Sequence, residues 1–323
     1  MFAICIESSH KRGMGHFYRA LNILEYLNRV KEKALILVNN DKASTHILDE
    51  KGISYEEVDY SDITGNWERR IIHKYKIDVW LLDKYETSLE LAQHVKQEGT
   101  LLVAIDDCGR GAALVDLHFY GMLFRNHQGK RIYVGKDYLI LNQEIAKYRR
   151  LRTEKKRILV TLGGSDTYGV TVKVIRLLKK RGYHADIVIG PNFRHMDLLE
   201  QEITEQFNVY RNVPSLIAKF YEYDLAITGG GVTCYEAYAS GLPCIIIANE
   251  PHEIETGRYL AGFHGAKFAG YHEEITEEDL DLENLDIKGM SSAALQAAPL
   301  NGMENIYKII CSYREGKGCR TKL

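Results

Sequence analysis

Unbroken apolar runs alternate along the chain with segments whose apolar positions recur every three to four residues. Runs at 2–8, 34–38, 79–83 and 101–106 predict strands, and periodic segments at 16–29, 42–50, 63–75 and 87–98 predict helices. A strand that is apolar on both faces is buried on both, so this alternation implies a parallel sheet covered by helices on either side. Periodicity weakens over 108–141. The polar, basic run "AKYRRLRTEKKR" (146–157) follows, and reads as a helix end leading into a solvated interdomain linker. The pattern then restarts. Strands are expected in "RILVTLGG" (157–164), "ADIVIG" (185–190), "DLAITGGG" (224–231) and "PCIIIA" (243–248), with helices at 168–181 and 233–240. A last periodic segment, 303–314, is expected to cross back to the first half, and 315–323 to fray.

The expected fold class is α/β. Residues 1–150 form an N-terminal Rossmann-like domain, 151–302 a second one that binds nucleotide, and 303–323 a C-terminal helix and tail. Each half is doubly wound and opens on a strand with a glycine-rich turn. Ligands of such sheets sit at the carboxyl ends of strands, so two domains facing across a cleft would line it with these turns.

A length of 323 residues suits two domains. Hydrophobic residues at 45% and charged residues at 27% are the balance of an ordinary globular protein. The formal net charge of -2 gives no electrostatic footprint for nucleic acid or an anionic membrane. The six cysteines, Cys5, Cys108, Cys234, Cys244, Cys311 and Cys319, include no Cys-x-x-Cys pair. They read as free thiols of a reducing compartment, without a disulfide or zinc framework. No basic-then-apolar leader opens the chain, and no apolar run reaches the roughly 18–20 residues of a membrane helix. A cytoplasmic location follows as the expectation.

Candidate chemistry lies in the turns. In "LGGSDTYGVT" (162–171), Gly163 and Gly164 can bring backbone N–H groups to an anion, and Ser165 and Asp166 are good N-caps. In "TGGGVTCYEA" (228–237), Gly229, Gly230 and Gly231 precede a helix starting near Val232 and Thr233, a second anion cradle. Glu236, one turn in, can accept hydrogen bonds from a ribose diol. The turn lacks the Gly-Lys-Ser/Thr ending of a P-loop, and the first turn of the chain lacks Gly-x-Gly-x-x-Gly.

That first turn is Gly13-Met14-Gly15-His16. A helix N-terminus disfavours imidazolium, and a neutral imidazole is what a general base requires. Arg19, three residues on, shares the helix face and can hold a phosphate or orient a partner. Plain structural readings compete with each: a locally bonded histidine, a surface ion pair, a capped βα turn. "LLDKYETS" (81–88) places Asp83 and Tyr85 at a strand end, and "VAIDDCGRG" (103–111) does so with Asp106 and Asp107. The two adjacent acids lack supporting metal-ligand spacing, so capping and orienting roles are expected and no metal.

Seven pieces in order, "GMGHFYRALNI", "LLDKY", "AIDD", "YVGKDYLIL", "ILVTLGGSD", "DLAITGGGVTCYEA" and "GLPCIII", span 13–247. Together they resemble the pseudaminic-acid-pathway UDP-sugar hydrolases and their spore-coat polysaccharide relatives, which share the two-domain GT-B fold with the peptidoglycan N-acetylglucosaminyltransferase. The resemblance implies that His16 is the base that activates water for inverting attack on the anomeric carbon, releasing UDP. It implies that Tyr85 contacts the sugar or assists the water. Substrate contacts would come from Gly13, Met14, Gly15, Arg19, Asp83, His252 and Glu253. The nucleotide would be held by Gly163, Gly164, Ser165, Gly230, Gly231, Val232, Thr233 and Glu236, with no metal or other cofactor.

The chain departs from the family pattern at several points. Glu7-Ser8-Ser9-His10-Lys11-Arg12 stands where an Arg-x-Asp-Ala/Ser element is usual, and Leu141-Asn142-Gln143-Glu144-Ile145 where Leu-Arg-x-Glu-Phe is usual. Val232 replaces a serine, and His252-Glu253 an Asn-Gln pair. These changes touch the residues that would read the sugar. They leave the sugar and the acceptor open. The expected function is a UDP-sugar hydrolase, with an amino or deoxy, sialic-acid-like sugar as the class the resemblance implies. A GT-B glycosyltransferase with an acceptor hydroxyl in place of water is the alternative, and a silent nucleotide-sugar binder the third reading. The implied partner is the UDP-sugar alone, with no nucleic acid, membrane span or obligate protein partner.

Overall fold

The computed structural model describes residues 1–8, 14–122, 127–164, 166–211, 213, 215–298 and 300–320, the last four without their side chains. The chain divides into two compact units, Met1–Leu141 with Asn301–Leu323, and Asn142–Leu300.

Unit 1 carries seven strands: β1 (Phe2–Ile6), β2 (Ala34–Asn39), β3 (Tyr55–Val58), β4 (Val79–Asp83), β5 (Leu101–Ile105), β6 (Leu117–Tyr120) and β7 (Ile132–Val134). They form one sheet in the order β3-β2-β1-β4-β5-β6-β7, and every neighbouring pair is parallel. Four helices, α1 (Gly15–Arg29), α2 (Lys42–Glu50), α3 (Asn66–Tyr75) and α4 (Leu89–Gln97), connect the strands. The central strands are buried on both faces because their alternate residues feed two different cores. Ile4, Ile6, Leu81 and Val103 pack with Phe17, Ile23 and Leu27 of α1. Ala3, Cys5, Trp80, Leu82 and Leu102 pack with Trp67, Ile71 and Val95 of α3 and α4. Each such aliphatic side chain is worth about 1.5–3 kcal/mol buried, which is why these runs carry no charge until their last residue. Asp41 caps α2 through the Ser44 N–H, and Ser88 caps α4 through the Leu91 N–H. Helix α1 has no such side-chain cap.

Unit 2 begins with α5 (Ile145–Tyr148) and carries β8 (Ile158–Thr161), α6 (Val170–Lys180), β9 (Ala185–Ile189), α7 (Met196–Glu200), β10 (Phe207–Arg211), α8 (Leu216–Phe220), β11 (Leu225–Gly229), α9 (Val232–Ala239), β12 (Cys244–Ala248), α10 (Glu253–Ala261), β13 (Ala266–Tyr271) and α11 (Ile287–Ala297). Its six-stranded sheet runs β10-β9-β8-β11-β12-β13, again with every pair parallel. The final helix, α12 (Gly302–Arg320), belongs to unit 1. Tyr307 there packs edge-on against Tyr26 of α1, and Arg314 reaches Glu32 and Asp78.

The segment expected to be a solvated linker is instead part of unit 2, which starts at Asn142 and not after 150. Arg152 is fully buried and donates to the carbonyls of Arg150, Phe220, Tyr223 and Ser240. Arg149 donates to Leu295 and Ala298, and Arg150 to Tyr221 and Tyr223. Burial, aided by nearby Arg150, lowers Arg152 to about 9. Helix carboxyl ends leave carbonyls without partners, and this basic run satisfies those of α8 and α9. The expected frayed end is helical as far as Arg320. Cys5, Cys108, Cys234, Cys244 and Cys311 are free thiols. Among the described residues, no helix is long and apolar enough to cross a membrane.

Candidate functional site

In each sheet the strand order reverses at one pair of neighbours, β1 with β4 and β8 with β11. Loops leaving such a pair diverge to opposite sides and open a crevice at the carboxyl edge, where ligands of α/β sheets bind.

In unit 1 that crevice is lined by ionisable groups. Asp83 ends β4 opposite Ile6 of β1 and is fully buried. Helix α1 starts beside it. His16 and Arg19, three residues apart, share a face of α1 and both turn to this carboxylate. His16 Nδ1 lies 2.7 Å from Asp83 Oδ1. Arg19 Nε donates to Asp83 Oδ2 at 2.9 Å and Arg19 Nη2 to Oδ1. Arg19 Nη1 donates to Asp106 Oδ2. Burial alone would raise the Asp83 carboxyl, but Arg19 and His16 outweigh it and hold Asp83 at about 2. Asp83 is therefore an ionised acceptor, and the proton between it and His16 belongs to Nδ1. Imidazole Nε2 is then the basic nitrogen, and it has no hydrogen-bond partner among the described residues. Burial works against the Arg19 charge too, yet Asp83 and Asp106 raise its pKa further.

The remaining groups at this edge are structural or committed. Asp107 Oδ1 accepts the amides of Thr87 and Gly109, and its own N–H donates to His118 Nε2. His118 Nδ1 donates to the Gln128 carbonyl at 2.7 Å, and burial lowers that imidazole to about 4. Met14 precedes α1, and its sulfur accepts the Ser8 hydroxyl at 3.5 Å while its side chain packs on the core. Gly15 opens α1 with free space around it. Lys84 is buried over the ring of Tyr60 and 3.5 Å from Glu7. The Tyr85 side chain is 54% exposed and makes no hydrogen bond among the described residues.

In unit 2 the crevice is lined by backbone. Gly163 takes a left-handed φ of +93°, which favours glycine, and Gly164 is exposed with nothing within 4 Å of a notional Cβ. The N-cap of α6 is Gly169 and not Asp166, whose carboxylate accepts the first two helix amides, Val170 and Thr171, at 2.7 and 2.8 Å. The Gly229–Gly231 turn leads into α9 without a side-chain cap. The amides of Gly231, Val232 and Thr233 and the Thr233 hydroxyl have no partner among the described residues. They lie at the positive end of α9, an arrangement that suits an anion. Glu236, one turn further, has no hydrogen-bond partner among the described residues either, and burial lifts its carboxyl to about 7.

Several expected ligand contacts are already taken within the chain. Arg19 and Asp83, expected to touch substrate, bond to each other, Arg19 also to Asp106 and Asp83 also to His16. Glu253 Oε2 accepts the Gly230 amide at 3.2 Å and the Asn249 amide at 2.7 Å. Gly230 is thereby removed from the free amides of the cradle. A Cβ there would lie 2.6 Å from Glu253 Cβ, so only glycine fits. His252 is exposed and unbonded among the described residues. Gly13 and Ser165 lie outside the described residues.

Sequence reasoning missed two braces. Asn249, directly after β12, donates from Nδ2 to the Leu162 carbonyl at 3.0 Å, tying the first glycine turn to the Glu253-braced second one. Its Oδ1 and Thr228 Oγ1 at the β11 end are buried without partners among the described residues. Gly190 backs the Gly163-Gly164 turn, where a Cβ would lie 2.3 Å from the Gly164 carbonyl oxygen. The only signal for either is position, a polar or glycine residue closing an apolar strand.

No family model matches the chain. It is 27% identical over 295 residues to the spore coat polysaccharide biosynthesis protein SpsG of Bacillus subtilis, covering 86% of this chain and 86% of SpsG. It is 26% identical over 270 residues to the uncharacterized protein MJ1062 of Methanocaldococcus jannaschii, covering 76% of this chain and 55% of that protein. The chain thus matches about half the length of MJ1062. Among solved structures, MurG of Acinetobacter baumannii superposes with a TM-score of 0.67 at 14% identity, over 96% of this chain and 99% of MurG. MnaA of S. aureus, solved with UDP, superposes with a TM-score of 0.65 at 14% identity, over 97% of each chain. The fold is that of the GT-B glycosyltransferases. At these identities the solved structures speak for the fold alone.

Proposed function

We propose that this protein is a GT-B glycosyltransferase that moves a sugar from a UDP donor to an acceptor hydroxyl with inversion, and that His16 is its general base. The observation that carries this reading is the His16–Asp83 pair. A buried, ionised carboxylate holds the Nδ1 proton, and the Nε2 lone pair has no internal partner. A base of this kind takes a proton from an attacking hydroxyl. The acceptor oxygen then bonds to the anomeric carbon as that carbon's bond to the β-phosphate oxygen breaks. The electron pair of the broken bond leaves on UDP.

The free amides of Gly231, Val232 and Thr233 supply fixed dipoles for the charge that develops on the leaving group. Glu236 supplies a ribose ligand. Gly163 and Gly164 let the backbone approach the diphosphate. SpsG, named for polysaccharide biosynthesis, supports a sugar-transfer role, and MnaA, solved with UDP, supports the choice of nucleotide.

Hydrolysis of the UDP-sugar is the second reading, favoured by the resemblance of the seven ordered pieces over 13–247 to the hydrolase branch. It differs only in that water replaces the acceptor hydroxyl. Phosphorus NMR with a panel of UDP-sugars, with and without glycan or lipid-linked acceptors, separates the two. Transfer releases UDP only when acceptor is present, whereas hydrolysis releases it without. His16→Ala lowers either rate by about 10²–10⁴-fold. Turnover that is indifferent to His16→Ala sinks both readings. Binding without turnover under every condition leaves a nucleotide-sugar binder.

A further inference from the structure

We propose that Asp106 is a positioning residue for His16, acting through Arg19 and Asp83. The proposal rests on the reading of His16 as the base. Its geometric ground is the division of the Arg19 guanidinium, in which Nε and Nη2 serve the two oxygens of Asp83 and Nη1 serves Asp106. Asp83 Oδ1 is shared, because it accepts from Arg19 Nη2 and from His16 Nδ1. The direction in which Arg19 is held therefore decides how much of Oδ1 is left for the imidazole.

Asp106 holds the far end of that guanidinium. It is itself held, since its Oδ1 accepts the Met122 amide at 3.1 Å. Its backbone takes a left-handed φ of +50°, at the residue after β5. Few residue types other than glycine adopt that conformation readily, and Asp and Asn are among them. The residue is buried, so no solvent contact accounts for a charge there.

Charge counting gives the second ground. Arg19 with Asp83 alone is neutral. With Asp106 the set carries one net negative charge beside the imidazole, which favours the imidazolium formed when His16 takes a proton. The other titratable groups at these positions are Lys84, which approaches Glu7 and the Tyr60 ring, and Asp107, Cys108 and Tyr120 on the β5 and β6 side. The Tyr120 hydroxyl donates to the Asp107 carbonyl, the Asp107 N–H donates to His118 Nε2, and the Tyr120 ring stacks on that imidazole. Burial raises the Asp106 carboxyl more than Arg19 lowers it, whereas Asp83 is held down. Asp106 therefore loses its charge first as pH falls, and Asp106→Asn imitates that step with a residue that tolerates the same φ.

The test is a pH titration of the ligand-free full chain by ¹⁵N NMR of the imidazoles, with the His16 signals assigned by their loss in His16→Gln. In the wild type, His16 is expected as the Nδ1–H tautomer. In Asp106→Asn, the Nδ1–H share drops. Turnover then falls about tenfold with KM within about twofold. Should Asp106→Asn fail to fold, Arg19→Lys keeps the charge but cannot span both carboxylates, and the Nδ1–H share falls there as well. A folded variant with the wild-type tautomer share overturns the proposal, even if its turnover or melting temperature drops. The titration needs no substrate, so its result is separate from the His16→Ala rate that tests His16 as the base.

Discussion

Unit 1 and unit 2 reverse their strand order in the same way, at β1 with β4 and at β8 with β11. At the first reversal the chain gathers charge, with Arg19 between Asp83 and Asp106 and His16 on the outer side. At the second it gathers glycines, with amides and the Glu236 acid that have no partner among the described residues. Both edges are braced from beneath. Arg19 braces the first, and Asn249 with Glu253 braces the second. A group that must trade a proton needs neighbours that set its tautomer and basicity. A group that must hold a fixed anion needs rigid dipoles and room for backbone approach. The same topology serves both because it leaves the strand ends open, whatever residues occupy them.

Asp83→Asn gives the largest break in this comparison. An amide no longer fixes the proton on Nδ1, so turnover is expected to fall by about 10²–10³-fold while UDP binding, measured by calorimetry, stays within about twofold. A matching loss of UDP affinity would show that the two edges are not separable. The same residue sets an acid limit. Its folded pKa of about 2 lies below the usual carboxylate value. Its contribution is therefore present above about pH 4 and is lost as pH falls through about 2, an effect on the order of 1–3 kcal/mol. Unfolding of the wild type should thus weaken more steeply than that of Asp83→Asn over this window.

Gly190→Ala probes the second edge from behind. The new Cβ meets the Gly164 carbonyl, which is backbone and cannot step aside. A loss of about 1–3 kcal/mol in urea unfolding is expected, together with weaker UDP binding. Glu236→Gln is expected to weaken UDP binding about tenfold by replacing one of the two acceptor oxygens offered to the ribose diol with an NH2 donor. Because burial raises this carboxyl to about 7, its charged form opposes folding. The penalty is absent below the unfolded pKa near 4 and grows as pH rises through about 7. Glu236→Gln should therefore stabilise the ligand-free protein at pH 8 and leave it unchanged at pH 4, as thermal melts at both values would show.

Gly164→Ala is the smallest and sharpest change. Nothing lies within 4 Å of its Cβ, so stability should move by less than about 0.5 kcal/mol. If the diphosphate approaches this backbone, affinity for UDP still falls several-fold. Unchanged affinity would remove the first glycine turn from the nucleotide site.

Much of the scaffold was legible in the apolar runs. The strand over 79–83 and the helix over 42–50 stand where periodicity put them. The strands that periodicity missed are the outermost or shortest ones. Tyr55-Glu56-Glu57-Val58 is half exposed at a sheet edge, and Ile132-Tyr133-Val134 closes the other edge. An edge strand has one neighbour and a wet face, so it needs no unbroken apolar run. The basic run at 146–157 misled for the opposite reason. Arg152 is buried by four carbonyls brought from α8, α9 and the chain itself, and no local pattern announces an acceptor 68 to 88 residues away.

By itself, then, the sequence determined the two parallel sheets, the glycine turns at their carboxyl edges and the presence of His16, Arg19, Asp83 and Glu236 in or beside those turns. Those features are set by local periodicity and by which residues can follow a strand. Only the tertiary structure decided what the polar residues do for one another. It paired Arg19 with Asp83, brought in Asp106 from 87 residues further along, and spent the Gly230 amide on Glu253. Hydrogen bonds of this kind join strand ends that are adjacent in space and distant in the chain. Their partners are chosen by sheet order, which no single segment encodes.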